Sequence, residues 1–595
     1  MATAPSLLHQ ENALHDHILQ PLTRCLDDAV LLSLARGFSH TFKDLAQNSH
    51  QHFLSTPVTA LPTGHEVGKF LAIDVGGTNL RVACVELLGD GGDDDNDDDD
   101  EAAAAASVPA SGALGHDDPK IRRHSERAWP IEEHLKMDKA EDLFAWIGDC
   151  IAGVLHDVLY GQNASIHPDD FGSEIPIGIT FSFPMTQESI SEATLMPMGK
   201  GFAITSDLNL GEMLLAGYAK HCTPGMSNGH PSHPANGHPR KLLPRLRIAA
   251  ITNDTVSTYA SLAYSVKTSS RSRVAMGVVV GTGTNATVPM PLSDLGQSKT
   301  AFLKLPLDSS SSTTKIVVNT EWSVRGTERP VKPYTTIWDT ELDRNTDLPG
   351  FQPIEYMTSG RYLGELVRLA LVDTLSKETN VVDREGLPAA LAQRNAISTK
   401  FLADVTARAS DDEIRARLDE LFPAPRGSSF VWSKERIDAL QAIATAVLIR
   451  STALIAAMIV GLLARVGELH LDVPDDANAV KLQANADADA DADADAADQK
   501  ETEAKPEAEA KEEEEEELII ACTGGLILQY PGYLETCQRW IDRLVAHQRG
   551  CSNAAAGKRV VLGEARDGGV IGAAVLAAMF SGAPPGNSST ALPPR

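Results

Sequence analysis

Apolar positions near the start of the chain, Leu19, Leu22, Val30, Leu31 and Leu34, recur at helix-like intervals, which predicts helix across residues 1–66. Two short apolar runs follow, at 70–75 and 80–87, separated by glycines; runs of this length with such a break read as strands joined by a turn. Amphipathic spacing over 142–159 predicts a helix, and apolar runs at 175–183 (closed by Pro184), 247–252, 274–280 and 316–320 predict further strands. Helical spacing returns at 359–375, 388–394 and 433–466, a strand is expected at 518–522, and a helix at 571–580 closes the pattern. Strands alternating with helices indicate an α/β protein. The strand–turn junctions Asp74-Val75-Gly76-Gly77-Thr78-Asn79 and Val279-Val280-Gly281-Thr282-Gly283-Thr284-Asn285 resemble each other, which points to two similar halves facing a cleft.

Low-complexity stretches interrupt this pattern: an acidic, alanine-rich insert at about 90–118, a Pro/Gly/His loop at about 223–240, and an Ala-Asp then Glu insert at about 475–517. All three read as solvated and without regular structure. They change the meaning of the net charge of −29, because residues 93–101 and 475–517 together account for −22 of it. The remaining body is only mildly acidic, and the absence of a basic face argues against nucleic-acid binding. His230, His233 and His238 could ligate a metal, but proline spacing and the lack of a carboxylate or cysteine partner favour a surface loop.

Composition adds the class. The 595 residues are 43% apolar and 22% charged, as in a soluble globular protein with room for more than one domain. Seven scattered cysteines form no CxxC pair, which fits a reducing compartment, and the first residues show no secretory pattern; a cytoplasmic location is expected. The uncharged run 451–464 is too short to span a bilayer and reads as part of a buried helix.

Candidate chemistry lies in four places. Glycines in the turn after residue 75 let backbone N–H groups approach phosphate oxygens, and Asp74 at the strand end could hold Mg²⁺ through water; an unliganded hairpin fits equally. Gly281-Thr282-Gly283 offers the same device a second time. Neither GxxxxGK[ST] nor GxGxxG occurs, so P-loop and dinucleotide readings lack support. Asn253-Asp254-Thr255 follows an apolar strand, where Asp254 fits either a base accepting a hydroxyl proton or a helix cap. Ser182, Lys200, Glu321, Gln352 and Glu355 are polar residues in apolar surroundings, suited to the hydroxyls of a sugar, although each taken singly is more often a cap or a surface group.

In this order, the stretches LAIDVGGTNLRV, ITFSFPMTQ, GKGFAI, ITNDTVST, VVGTGTNAT, VVNTEW, PGFQPIEYMTSGRYLGELVRLAL and DGGVIGAAVLAA resemble the hexokinase family, over residues 70–580. The resemblance implies a two-lobed actin-like ATPase (RNase H-like) fold, with small and large domains closing on a central cleft. It implies a domain layout of 1–66 (helical part of the large domain), 67–251 (small domain), 252–570 (large domain) and 571–595 (closing helix and tail). It implies ATP and Mg²⁺ as cofactors, with Asp74, Gly76, Gly77, Thr78, Asn79 and Arg81 in one phosphate loop and Gly281, Thr282 and Gly283 in the other. Thr523-Gly524-Gly525 would contact adenosine. Asp254 would be the catalytic base, assisted by Lys200, and Ser182, Lys200, Asn253, Asn285, Glu321, Gln352 and Glu355 would line the sugar pocket. The partners implied are a small-molecule sugar and MgATP.

The chain departs from the family pattern at Gly199, where threonine is usual, and at Thr284, where cysteine is usual. It also has Thr523-Gly524-Gly525 for Asp-Gly-Ser and Asp567-Gly568-Gly569-Val570 for Asp-Gly-Ser-Gly. These departures resemble the divergent fungal branch that holds N-acetylglucosamine kinases and regulatory hexokinase-like proteins. The expected activity is 6-phosphorylation of a glucose-type sugar or N-acetylglucosamine; the competing expectation is a weakly catalytic, sugar-sensing regulator.

Overall fold

Apolar spacing near the N-terminus gives a helix, α1 (Asp28–Asn48), capped by Asp27, whose carboxylate accepts from the N–H groups of Ala29 and Val30 at 2.9 and 3.2 Å. The computed structural model describes residues 14–90, 118–137, 139–162, 164–196, 208–222, 226–227, 230–231, 242–266, 271–305, 314–378, 386–406, 409–471, 516–549 and 557–581. Helix does not continue to residue 66 as the spacing predicted. Beyond Asn48 the chain forms a two-residue strand, β1 (Leu54–Ser55), and then turns through a segment broken by Pro57, Pro62 and Gly64. Most of the 90–118 insert, the 475–517 insert as far as residue 515, and Lys200 lie outside the described residues. Of the 223–240 loop only the backbone of the two-residue strands Met226–Ser227 and His230–Pro231 is described.

The next segment builds a first unit: β2 (Val67–Val75), β3 (Asn79–Leu88), β4 (Ile121–Pro130), α2 (Ala140–Tyr160), β5 (Glu174–Phe181), α3 (Leu210–Tyr218), β6 (Arg245–Thr252) and α4 (Asp254–Ser265). Its five-stranded sheet has the order β6-β5-β2-β3-β4, an antiparallel β2–β3–β4 meander extended by two parallel strands. A second unit follows: β7 (Ser272–Val280), β8 (Thr284–Pro291), β9 (Lys315–Asn319), α5 (Pro353–Thr358), α6 (Leu363–Glu378), α7 (Lys434–Arg465), β10 (Glu516–Thr523), α8 (Tyr533–Arg549), β11 (Lys558–Glu564) and α9 (Gly568–Phe580). Its sheet runs β1-β9-β8-β7-β10-β11, again an antiparallel meander (β7–β8–β9) extended by two parallel strands. The two halves therefore repeat one topology. The β2–β3 turn corresponds to the β7–β8 turn, and α4 corresponds to α9.

Helices α4 and α9 lie between the two sheets. One core joins Phe70, Ala72 and Val85 of the first sheet to Val274, Ile519 and Ala521 of the second through Val256, Tyr259, Val570 and Ala574. The helices approach so closely that a β-carbon on Gly572 would sit 1.9 Å from the Ser257 carbonyl oxygen, so only glycine fits there. The outer face of the first sheet is covered by α2 and α3, that of the second by α1, α7 and α8.

Several elements differ in detail from their apolar spacing. The helix expected at 359–375 starts only at Leu363, as α6, because residues 359–362 turn after α5, with Gly360 N–H donating to the Gly281 carbonyl at 2.7 Å. The 388–394 helix is a single 3₁₀ turn, Ala389–Ala392. Strand β10 starts at Glu516, inside the expected insert, because Glu516 and Glu517 pair with Lys558 and Arg559. Helices α2 and α7 are long and apolar enough to cross a membrane, but 61% and 94% of their most apolar stretches are buried in the protein. Within α7, Arg450 forms a fully buried ion pair with Asp339, at 2.7 and 2.9 Å.

Candidate functional site

Both glycine turns, the end of β5, the start of α4 and the α5 segment open onto one cleft of about 750 Å³ between the sheets. Every described candidate residue lines it: Asp74, Gly76, Gly77, Thr78, Asn79, Arg81, Ser182, Asn253, Asp254, Gly281, Thr282, Gly283, Asn285, Glu321, Gln352, Glu355, Thr523, Gly524 and Gly525. The turn and strand-end residues converge because they sit at the same end of their sheets, and the duplicated topology turns those ends toward each other, while α5 brings in Gln352 and Glu355.

The two possibilities for Asp254 separate here. Asn253 is the cap of α4, its Oδ1 accepting from Thr255 N at 3.0 Å and from Thr255 Oγ1 at 2.8 Å. That leaves the amide's donor end as what Asn253 can offer the cleft. Asp254, one residue on, lines the cleft in the first turn of the helix.

One wall of the cleft is a connected set of amides and carboxylates. Asn285 Nδ2 donates to Asn319 Oδ1 at 2.8 Å and to Glu321 Oε1 at 3.2 Å, and Asn319 Nδ2 donates to the same Glu321 oxygen at 2.8 Å. Glu321 has a left-handed backbone, φ 48°, which a non-glycine residue adopts at a cost and which is common where function demands it. Glu355 is buried and accepts from Ser323 Oγ and Gln352 Nε2, both at 3.1 Å. Thr284, in place of the expected cysteine, is hydrogen-bonded to Trp322 Nε1 at 3.3 Å. Asn319 and Ser323, which hold this wall together, were not singled out from sequence; Asn319 lies within the VVNTEW stretch and Ser323 directly follows it.

The opposite end is built for anions and a cation. Gly281 N–H donates to Gly283 O at 2.8 Å, closing the second turn tightly against Gly524. Asp74 is pushed up to about 7, first by burial and then by the charge of Asp254, against the pull of Arg81. A carboxylate raised by burial and by a second carboxylate is a place where added positive charge is favourable, which suits magnesium. Among the described residues no group of three or more His, Cys, Asp or Glu gathers as a metal site, so protein ligation would be sparse and completed by water and phosphate. Arg81, expected as part of the phosphate loop, lines the cleft but is ion-paired with Asp567 at 2.8 Å.

Family models described as hexokinase match residues 16–264 and 275–579. The chain belongs to the hexokinase family. It is 30% identical to a hexokinase of Schistosoma mansoni over 350 residues, covering 58% of this chain and 61% of that protein. It is 28% identical to a hexokinase of Emericella nidulans over 387 residues, covering 62% and 65%. The matched region thus spans a little under two thirds of these relatives. The structure of Schistosoma mansoni hexokinase complexed with glucose superposes with a TM-score of 0.65 at 23% identity, over 96% of this chain and 99% of that one. The fold is accordingly the two-lobed actin-like ATPase arrangement of hexokinases.

Proposed function

We propose that the chain is an ATP-dependent hexose kinase that transfers the γ-phosphoryl group of MgATP to the 6-hydroxyl of a sugar. The observation that carries this is the position of Asp254, in one cleft with a polar wall suited to sugar hydroxyls and two glycine turns suited to phosphates. Asp254 accepts the hydroxyl proton as the sugar oxygen bonds to phosphorus and the bond from phosphorus to the bridging oxygen of ADP breaks. The Asn285–Asn319–Glu321 network and the Gln352–Glu355–Ser323 set hold the sugar so that one hydroxyl faces Asp254. Backbone N–H groups of Gly77, Thr78, Thr282 and Gly283, in turns closed by the Gly76 and Gly281 N–H groups, orient the phosphates together with the Thr282 hydroxyl, and Thr523–Gly525 adjoins them for adenosine. Asp74 would hold magnesium, which supplies charge neutralisation on the phosphate oxygens. Lys200 is assigned to the sugar pocket and to charge stabilisation on its sequence context alone.

The sugar is the finer part of the proposal. Glucose is bound in the Schistosoma relative, whereas the departures at Gly199, Thr284, Thr523-Gly524-Gly525 and Gly569 favour N-acetylglucosamine, with the product feeding glycolysis or amino-sugar metabolism. The six described cysteines are unpaired and five are buried, which supports a reducing, cytosolic setting. Purified protein with MgATP and a panel of glucose, mannose, fructose, glucosamine and N-acetylglucosamine tests the proposal. Sugar-dependent ADP release is expected, fastest with N-acetylglucosamine. Tight sugar binding without ADP release would replace the kinase by a sugar-sensing regulator.

A further inference from the structure

Asp567 stands in the second half of the chain where Asn253 stands in the first: each is the cap residue between the last strand of its sheet and the helix buried between the sheets. The side chain of Asp567 is 21% exposed, and each of its oxygens is held by a different arginine. Arg81 Nη1 contacts Oδ1 at 2.8 Å and Arg123 Nη1 contacts Oδ2 at 2.8 Å, with Arg123 also 2.9 Å from Glu126. All three members of this clasp line the cleft. Arg81 is the register partner of Asp74 across β2 and β3, so the two side chains share a sheet face beside the first glycine turn.

A polyphosphate entering that turn competes with Asp567 for Arg81, since a guanidinium forks onto phosphate oxygens at least as well as onto a carboxylate. If Arg81 simply left, a mostly buried carboxylate would lose its counter-charge. Arg123, on the other oxygen, removes that obstacle. We propose that Arg123 is a positioning residue for the nucleotide: it retains Asp567 so that Arg81 can pass from the carboxylate to the phosphate chain. This rests on the kinase reading above, and it adds a residue of β4 that none of the sequence motifs contains.

The test is isothermal titration of the full chain with a non-hydrolysable ATP analogue and magnesium, and separately with sugar. Arg123→Gln is expected to weaken nucleotide binding roughly tenfold, as loss of one charge-assisted contact does, while sugar affinity stays within about twofold. Adding Asp567→Asn to Arg123→Gln is expected to restore nucleotide affinity to within about threefold of wild type, because a neutral amide no longer retains Arg81. Asparagine suits this test because it tolerates the left-handed backbone at 567, φ 54°. A purely structural role for Arg123 predicts the reverse, a double variant worse than either single one in affinity and melting temperature. Unchanged nucleotide binding in Arg123→Gln, or no recovery in the double variant, overturns the clasp and leaves the kinase reading standing. Failure of the wild-type chain to bind the analogue, with sugar binding intact, overturns both.

Discussion

A β-carbon at Gly569 would lie 2.4 Å from an Asp74 carboxylate oxygen, so this glycine in the first turn of α9 is what lets Asp74 occupy its place in the cleft. Serine, the residue the family resemblance expects at 569, would push that carboxylate aside in this chain. Gly569→Ser is therefore expected to raise KM for MgATP by about tenfold or more while the melting temperature changes little, since the site is at the cleft rim of a well-packed helix. Steady-state kinetics with a parallel thermal melt checks this; an unchanged KM would show that Asp74 does not need its observed position.

Asp74 also gives the apo protein a pH dependence. Its pKa is raised to about 7, above its ordinary value of 3.8, so the folded state binds this proton more tightly than the unfolded state does. Its contribution accordingly favours the fold as pH falls from 8 toward 5 and is lost as pH rises through 7. Without magnesium or nucleotide, the wild type is expected to gain up to ~2.5 kcal/mol of stability over that descent from this group, less any compensation from Asp254. Asp74→Asn should flatten the dependence in denaturant melts at each pH. A steeper fall in the variant would contradict the assignment.

The pair Arg450–Asp339 is not among the residues lining the cleft and ties α7 to the rest of the core. Burial alone would raise the Asp339 pKa, but the charge and hydrogen bonds of Arg450, with those of Thr336, hold it below the ordinary range. The stabilisation is thus present above the unfolded pKa and lost as pH falls below it. Asp339→Asn leaves a buried guanidinium without its anion and is expected to cost about 3–5 kcal/mol, read as a lower midpoint in urea. Replacing both residues by apolar ones should recover much of that loss.

The strand ends and turns that line the cleft were more legible in the sequence than the connections around them. Glycine turns after apolar strands are local signals, and both sit where the DVGGTN and GTGTN stretches placed them. Whether Asp254 caps α4 or faces the cleft was undecidable locally, because Asn253 and Asp254 are both good caps; only the hydrogen bonds of Asn253 separate them. The strand Leu54–Ser55 was illegible because its pairing with Val318 and Asn319 is a contact across more than 250 residues. Asn319 and Ser323 were missed for the same reason: their roles exist only once Asn285 and Glu355 are brought alongside. Arg123 sits on an edge strand of mixed exposure, and nothing in its neighbourhood marks it until Asp567 arrives from the far end of the chain.

The central claim concerns Asp254 as the base, and Asp254→Asn tests it most directly when sugar binding and turnover are measured on the same preparation. The amide keeps the shape of the side chain and the cap at Asn253 but cannot accept the hydroxyl proton. Sugar affinity within a few-fold of wild type, together with a kcat lower by about 10³-fold or more, is the expected result. A kcat within about tenfold of wild type would contradict it, because general-base catalysis alone contributes more than that.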